Sequence, residues 1–284
     1  VTDHDDTAAS RSRFALDTAV VRRDLDRFDA ECRAGWRVIG DAAPNGGYLM
    51  ALGARAMAER ADRPDPVTVT AHFLAPPALG PVEVVTELVR DGRRHATVAA
   101  RLVQEGRECV RLLGTFGDLT LADGPTRVLR EPPPWPDVDT LDEPLRRAPR
   151  GMLPEFLDRL DHRMPEETSG WTRGRPSGAG LHGGWCRWSD GHDFDSLALL
   201  CVADAYPPVV YDLDVGGLAW APTIELTVQV RARPAPGWLA TRFTTQALTD
   251  GYFEEDGDLW DADGRLVALS RQVALAGKAS GPQG

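Results

Sequence analysis

Apolar and polar positions alternate in a run of short segments over residues 66–117, and the same rhythm returns over 222–277. In the first stretch Val67, Val69, Ala71 and Phe73 alternate with Thr68, Thr70 and His72. A period of two predicts a strand with one covered face. Further alternating runs at 82–90, 95–104 and 107–116 are separated by Asp91-Gly92 and Glu105-Gly106, pairs that favour tight antiparallel connections. Ahead of them Pro44-Asn45-Gly46-Gly47 is turn chemistry leading into YLMALGARAMAERA, where Leu49, Leu52, Ala56 and the small residues between them suit a buried helix. The second stretch begins with strand-like residues around Trp185 to Trp188, and Asp193-Phe194-Asp195-Ser196 then opens LALLCVADAY. Asp193 or Asp195 is the expected N-cap of that helix, and Pro207-Pro208 stops it. Strands are expected at 223–232, 238–248, 251–260 and 265–275.

The two stretches share landmarks as well as rhythm. Pro77 precedes Asp91 by 14 residues, as Pro236 precedes Asp250, and each aspartate opens an Asp-Gly turn. Glu105-Gly106 matches Asp263-Gly264, so the offset drifts only from 159 to 158. Two long copies indicate a duplicated fold, since solenoids need at least three shorter units to bury a continuous core. Each copy reads as one helix followed by a meander. Between them LREPPPWPDVDTLDEPLRRAPRG reads as a surface linker. The expected divisions are an N-terminal segment 1–27, a first unit 28–118, a linker 119–149, a second unit 150–277 and a tail 278–284.

Charge and cysteine usage narrow the function. A formal charge of −11 with no evident basic patch argues against nucleic acid and anionic membranes as partners. Cys32, Cys109, Cys186 and Cys201 are too dispersed for a CxxC site and read as small buried thiols of a reducing compartment. The start, VTDHDDTAAS, lacks the apolar core of a signal peptide, and no apolar run approaches a membrane span. A soluble cytoplasmic protein with a disordered tip at each end is therefore expected. Gly178-Ala-Gly180-Leu-His-Gly183 has GxGxxG spacing but reads as a flexible loop, without a clear strand before it or helix after it. Glu254-Glu255-Asp256-Gly257-Asp258 lacks EF-hand spacing and reads as a solvated hairpin turn. There is no GxSxG elbow, and the histidines show no HExxH or paired metal spacing, so neither a bound metal nor a cofactor is expected.

A helix followed by a long antiparallel sheet that wraps it resembles the hotdog fold, and the passage FLAPPALGPVEVVTELVRDGRRHATVAARL is similar to the strand, Pro, Gly, strand, Asp-Gly, strand order of hotdog thioesterases. With NGGYLMALGARA in the first copy, and CVADAY, PTIELTVQV and DGRLVALSRQVALAG in the second, the chain resembles the double-hotdog acyl-CoA thioesterase II family. The resemblance implies an α+β tandem hotdog, each unit a long helix wrapped by an antiparallel sheet. It carries the family's helix aspartate onto Asp204, its threonine onto Thr223 and its last-strand glutamine onto Gln272. In the first copy Ala56 lies opposite Asp204 and Gly114 opposite Gln272, so only the second copy retains the polar set.

The residues by themselves leave more open. Asp204 follows an apolar run near a helix C-terminus, where the macrodipole disfavours an anion; it is either a base for water or an exposed last-turn carboxylate. Thr223 shares its strand phase with Glu225, Thr227 and Gln229, the pattern of a solvent face. Gln272 shares its phase with Leu266, Ala268, Ser270 and Ala274 and is either a wet sheet residue or an amide that positions water. The resemblance implies hydrolysis of an acyl thioester, on CoA or a carrier protein, by water held by Asp204, Thr223 and Gln272. Oxyanion donors are expected at a helix start, near Gly46 and Gly47 or near Asp195 and Ser196, and Arg231 and Arg233 are candidates for holding CoA. The alternatives are a non-catalytic acyl-thioester binding protein and a hotdog hydratase or dehydratase, although the Asp-x4-Asn-x2-His type of motif is not found. A homo-oligomer is expected, because open sheet edges find partners.

Overall fold

A computed structural model of the chain describes residues 11–38, 44–147, 154–215 and 221–277. The expected disordered tips, 1–10 and 278–284, and the junction at 148–153 lie outside the described residues. Thirteen strands form one sheet: β1 (Val21–Arg22), β2 (Arg27–Cys32), β3 (Asp65–Phe73), β4 (Gly80–Asp91), β5 (Ala96–Gln104), β6 (Arg107–Gly117), β7 (Leu160–Arg163), β8 (Leu181–Trp188), β9 (Thr223–Val230), β10 (Leu239–Thr244), β11 (Leu248–Thr249), β12 (Tyr252–Trp260) and β13 (Leu266–Leu275). The order across the sheet is β1-β2-β4-β5-β6-β3-β9-β13-β12-β10-β8-β7, with β11 paired to β12 beside that path. From the antiparallel β3–β9 junction outward, the two sides repeat: β3, β6, β5, β4, β2 on one and β9, β13, β12, β10, β8 on the other. The repeat of turn spacing in the sequence is thus a repeat of topology, and the two hotdog units share one continuous sheet. Only β4 to β6 and their counterparts form a meander. The first strand after each helix pairs instead with the last strand of its own unit and with its opposite number.

Two of the turns follow the expected chemistry, whereas Asp91 still pairs with Ala96 and the expected tight turn at Asp91-Gly92 is a longer connection over 92–95. Glu105-Gly106 and Asp250-Gly251 both have positive φ at their two central residues, the geometry of a hairpin turn whose twist matches the flanking strands. Two other expectations fail. The acidic string 254–258 is no turn but lies inside β12, where Glu255 and Asp258 are only 4% and 1% exposed. The alternation of Phe253, Glu255 and Gly257 had marked one face of that strand, and the density of carboxylates concealed it. The loop expected over 178–183 ends at Gly180, and Leu181, His182 and Gly183 already pair with β10.

Among the described residues the α-helices are α1 (Arg13–Asp17), α2 (Gly46–Ala61), α3 (Glu166–Ser169) and α4 (Ala198–Val202), with short 3-10 turns between the elements. Asn45 caps α2, accepting the Tyr48 N–H at 2.9 Å, and the helix buries Leu49, Met50, Leu52 and Met57 against the sheet. Its counterpart α4 starts after Leu197, which offers no side-chain cap, although Asp195 Oδ1 two residues earlier accepts the Ala198 N–H at 2.6 Å. It is much shorter than LALLCVADAY suggested. After Val202 the chain tightens, with Asp204 N–H bonded to Cys201 O and Ala205 N–H to Val202 O, both at 3.1 Å. A residue preceding proline is pushed out of the α region, so the helix unwinds ahead of Pro207. The four cysteines are buried and unpaired. No helix among the described residues is long and apolar enough to cross a membrane.

Candidate active site

Asp204 stands at the end of the α4 segment and is held by the start of α2, from the other unit. Its Oδ2 accepts the Gly47 N–H at 2.8 Å and Asn45 Nδ2 at 2.9 Å, and Asn45 Nδ2 also meets the Asp204 carbonyl at 2.8 Å. The carboxylate that would be disfavoured at its own helix terminus is thus placed on the positive end of a longer helix. Burial pushes its carboxyl up to about 6, opposed by the hydrogen bonds from Gly47, Asn45 and Gly46. The residue nevertheless keeps partial solvent contact. Its carboxyl is therefore ionised at neutral pH and more basic than that of an ordinary aspartate.

Gly47 is required for this approach. A Cβ there would lie 2.7 Å from the Cys201 carbonyl oxygen and 2.8 Å from Asp204 Cβ. Gly47→Ala is expected to destabilise the fold by about 1–3 kcal/mol, the ordinary cost of overpacking, and to lower turnover as Asp204 is displaced. Urea denaturation read beside kcat checks both. The same geometry corrects one expectation, because the Gly47 N–H is committed to Asp204 and is not free for an oxyanion.

Thr223 and Gln272 are brought together by a bulge. Ala274 pairs with Thr223 and Val273 with Glu225, so the register shifts by one residue at Ile224. A one-residue shift turns a side chain to the other face. Ile224 is left 37% exposed, while Thr223 joins the inner face that Gln272 shares with Ser270 and Ala274. The strand phase that placed Thr223 with Glu225 and Thr227 is interrupted at this point. Thr223 Oγ1 donates to Gln272 Oε1 at 2.8 Å, and Gln272 Nε2 donates to Glu255 Oε1 at 2.8 Å. Glu255 Oε2 accepts the Val209 N–H at 2.8 Å. Burial, reinforced by the charge of Asp204, pushes the Glu255 carboxyl up to about 7 against these two donors.

Close approaches place Asp204 beside this chain of hydrogen bonds. The position of a Gly46 Cβ is 3.0 Å from Asp204 Oδ2 and 3.0 Å from Phe73 Cζ. Phe73 ends β3, and its neighbour His72 pairs with Glu225 at the start of β9. Val209, which holds Glu255, follows Asp204 by five residues. Asp204, Thr223, Gln272, Gly46 and Gly47 therefore gather at one end of the β3–β9 junction. Asn45 and Glu255 join them unforeseen; the signals that carry them are an asparagine just before a helical apolar run and an in-phase position of β12.

Asp195, Ser196, Arg231 and Arg233 do not converge there. β9 separates Thr223 from Val230 by seven residue steps, about 23 Å at the usual strand rise. Beyond that far end Arg233 binds Asp65, with Nε 2.9 and 3.0 Å from its two oxygens, and Ser196 Oγ donates to Asp65 Oδ1 at 2.7 Å. Arg231 bonds to Gln229, and Asp195 accepts the Ala198 N–H. A CoA-holding role for the two arginines and an oxyanion role for Asp195 and Ser196 therefore lose their geometric basis, because these groups lie at the opposite junction.

Comparison with known proteins accords with this architecture. Residues 33–117 match the model of the acyl-CoA thioesterase N-terminal domain, and residues 129–276 match that of the acyl-CoA thioesterase C-terminal domain. An uncharacterised protein of Mycobacterium tuberculosis is 30% identical over 91% of this chain and 97% of its own. The structure of a Thermobifida fusca protein provisionally assigned as a thioesterase II is similar with a TM-score of 0.84 at 36% identity, covering 95% of this chain and 99% of the other. A hot dog fold protein of unknown function from Alicyclobacillus acidocaldarius shares the fold with a TM-score of 0.82 at 20% identity, over 95% and 99% of the two chains. With both domains matched in order along one tandem hotdog sheet, the chain belongs to the acyl-CoA thioesterase family.

Proposed function

We propose that the protein hydrolyses acyl thioesters, on CoA or a carrier protein, by direct attack of water at Asp204, Thr223 and Gln272. The observation that carries this reading is Asp204, a half-buried residue whose carboxyl is made more basic by burial and aimed by two donors from the other unit. The Thr223 proton is committed to Gln272, which leaves the threonine oxygen free to accept. A water that donates one hydrogen to Asp204 and the other to Thr223 keeps a lone pair for the thioester carbonyl. Asp204 takes the proton as the C–O bond forms, and returns it to the thiolate when the C–S bond breaks. Gln272 Nε2 gives one hydrogen to Glu255, and its second is the donor offered to the developing oxyanion. Burial pushes the Cys32 and Cys186 thiols up to about 12, which supports attack by water rather than by a cysteine.

Free-thiol release on acyl-CoAs of graded chain length, with a carrier-bound thioester beside them, tests the reading. Turnover that depends on chain length supports it. A thermal shift with acyl-CoA but no turnover on any substrate would make the protein a binder. The pH dependence carries a sign: the base must be ionised, so kcat/KM is expected to fall as pH drops below about 6, approaching about tenfold per unit. A profile flat from pH 4.5 to 7 would remove Asp204 from the role of base.

A further inference from the structure

Glu255 is a buried carboxylate with a donor on each oxygen, the Val209 N–H on Oε2 and Gln272 Nε2 on Oε1. A carboxylate can only accept, so whatever amide faces it must present N–H. Gln272 has one oxygen and one NH2 group, and committing the NH2 to Glu255 turns the oxygen to Thr223, where the threonine hydroxyl has to donate. We propose that Glu255 is a positioning residue of this site, setting through Gln272 the direction of the hydrogen bond at Thr223 and so leaving the threonine oxygen as an acceptor for the attacking water. Its effect on turnover rests on the hydrolase reading above, whereas the direction of the hydrogen bonds does not.

The consequence of neutralising Glu255 follows from counting donors. In Glu255→Gln the new amide oxygen remains with the Val209 N–H, so its NH2 faces Gln272. Two NH2 groups cannot pair, and Gln272 turns over to offer its oxygen. Its NH2 then donates to Thr223, whose hydrogen points into the site where the water had donated. Protonation of Glu255 reverses the chain in the same way. Among the described groups, Asp204 is the one whose charge reaches Glu255. On the flanking strands, Arg271 pairs with Asp256 on the outer face, and Thr244 and Phe243 of β10 carry no charge. Glu254, on the same strand, accepts the Gln246 N–H. His182, bonded to the Pro207 carbonyl near Val209, is pushed by burial down to about 4 and is neutral near pH 7.

The test combines a readout independent of turnover with a kinetic one, both on the full chain. The Gln272 side-chain amide, assigned in a 15N–1H spectrum by its loss in Gln272→Ala, is expected to shift through a step near pH 7 that is absent in Glu255→Gln. A shift that lacks this step in the parent, or keeps it in the variant, overturns the proposal. In acyl-CoA hydrolysis, Glu255→Gln is expected to lower kcat about 10–100-fold with KM within twofold, and to remove the upper ionisation from the pH profile. A variant that loses stability but keeps kcat and the profile shape would make Glu255 purely structural. If Glu255→Gln does not fold, Glu255→Asp keeps the charge with a shorter reach; kcat then falls while the ionisation stays, and an unchanged kcat overturns the proposal. Should the parent hydrolyse no thioester, the hydrolase reading fails and the amide titration still decides the role of Glu255.

Discussion

Replacing Asp204 with Asn is expected to lower kcat by about 10²–10⁴-fold, the usual worth of a positioned general base, while leaving the fold as stable as before or more so. An asparagine Oδ1 can occupy the place of Asp204 Oδ2 and still accept from Gly47 and from Asn45. What disappears is the charge. The folded-state value of about 6 lies above the ordinary aspartate value of 3.8, so between those two pH values the folded protein binds more protons than the unfolded chain. Stability then falls as pH rises through this window. At pH 7 the ionised carboxylate costs up to about 3 kcal/mol, two pH units at about 1.4 each. The variant is expected to gain part of that, a rise in Tm of about 2–6 °C at pH 7.5 that vanishes near pH 4. Paired thermal melts at the two pH values, with kcat measured on the same samples, check both halves. A structural aspartate predicts the reverse: stability lost on neutralisation, and activity reduced only with the folded fraction.

The separation of chemistry from stability also explains which parts of this site were legible in the sequence. Asp204 was visible because an anion after an apolar run, at the wrong end of a helix, conflicts with both burial and the macrodipole. Its partners were less visible, since they come from α2 in the other unit and no local pattern links Asn45 and Gly47 to residue 204. Thr223 read as solvent-facing because alternation assumes an unbroken register, and the bulge at Ile224 breaks it. Glu255 was hidden by composition: four carboxylates in five residues suggest solvent, although the inward phase of Phe253 and Gly257 includes position 255. The fold was more legible than the site because turn chemistry is local, and Glu105-Gly106 and Asp250-Gly251 each enforce a hairpin with their own two residues. The β3–β9 pairing, which joins the units and sets both junctions, is a long-range contact that the alternating pattern permits without specifying.

The opposite junction carries the other large expected effect, on stability rather than on rate. Asp65 opens β3 as Thr223 opens β9. Instead of facing an open base, this position is filled by internal partners. Asp65 is 2% exposed and accepts from Ser196 Oγ at 2.7 Å, from the Leu119 N–H at 2.9 Å and from Arg233 Nε at 2.9 Å. Ser196 and Arg233 belong to the second unit, so the carboxylate ties the two units at the end where no catalysis is proposed. Asp65→Ala would leave a buried hydroxyl and a backbone N–H unpaired and leave the guanidinium with Asp118 alone, 3.5 Å away. Breaking a buried ion pair costs about 3–5 kcal/mol. Arg233 is 45% exposed and recovers water, so about 2–4 kcal/mol is the expected loss. Urea unfolding should show a lower midpoint at an unchanged slope, and a cycle with Ser196→Ala should show coupling above about 0.5 kcal/mol. The folded fraction should hydrolyse thioesters within twofold of the parent rate, because the hydrogen bonds at Asp204, Thr223 and Gln272 lie about seven strand residues away along β9. An undiminished midpoint would deny Asp65 its role as a clamp, and a fallen kcat in fully folded protein would show that the two junctions are coupled through β3 and β9.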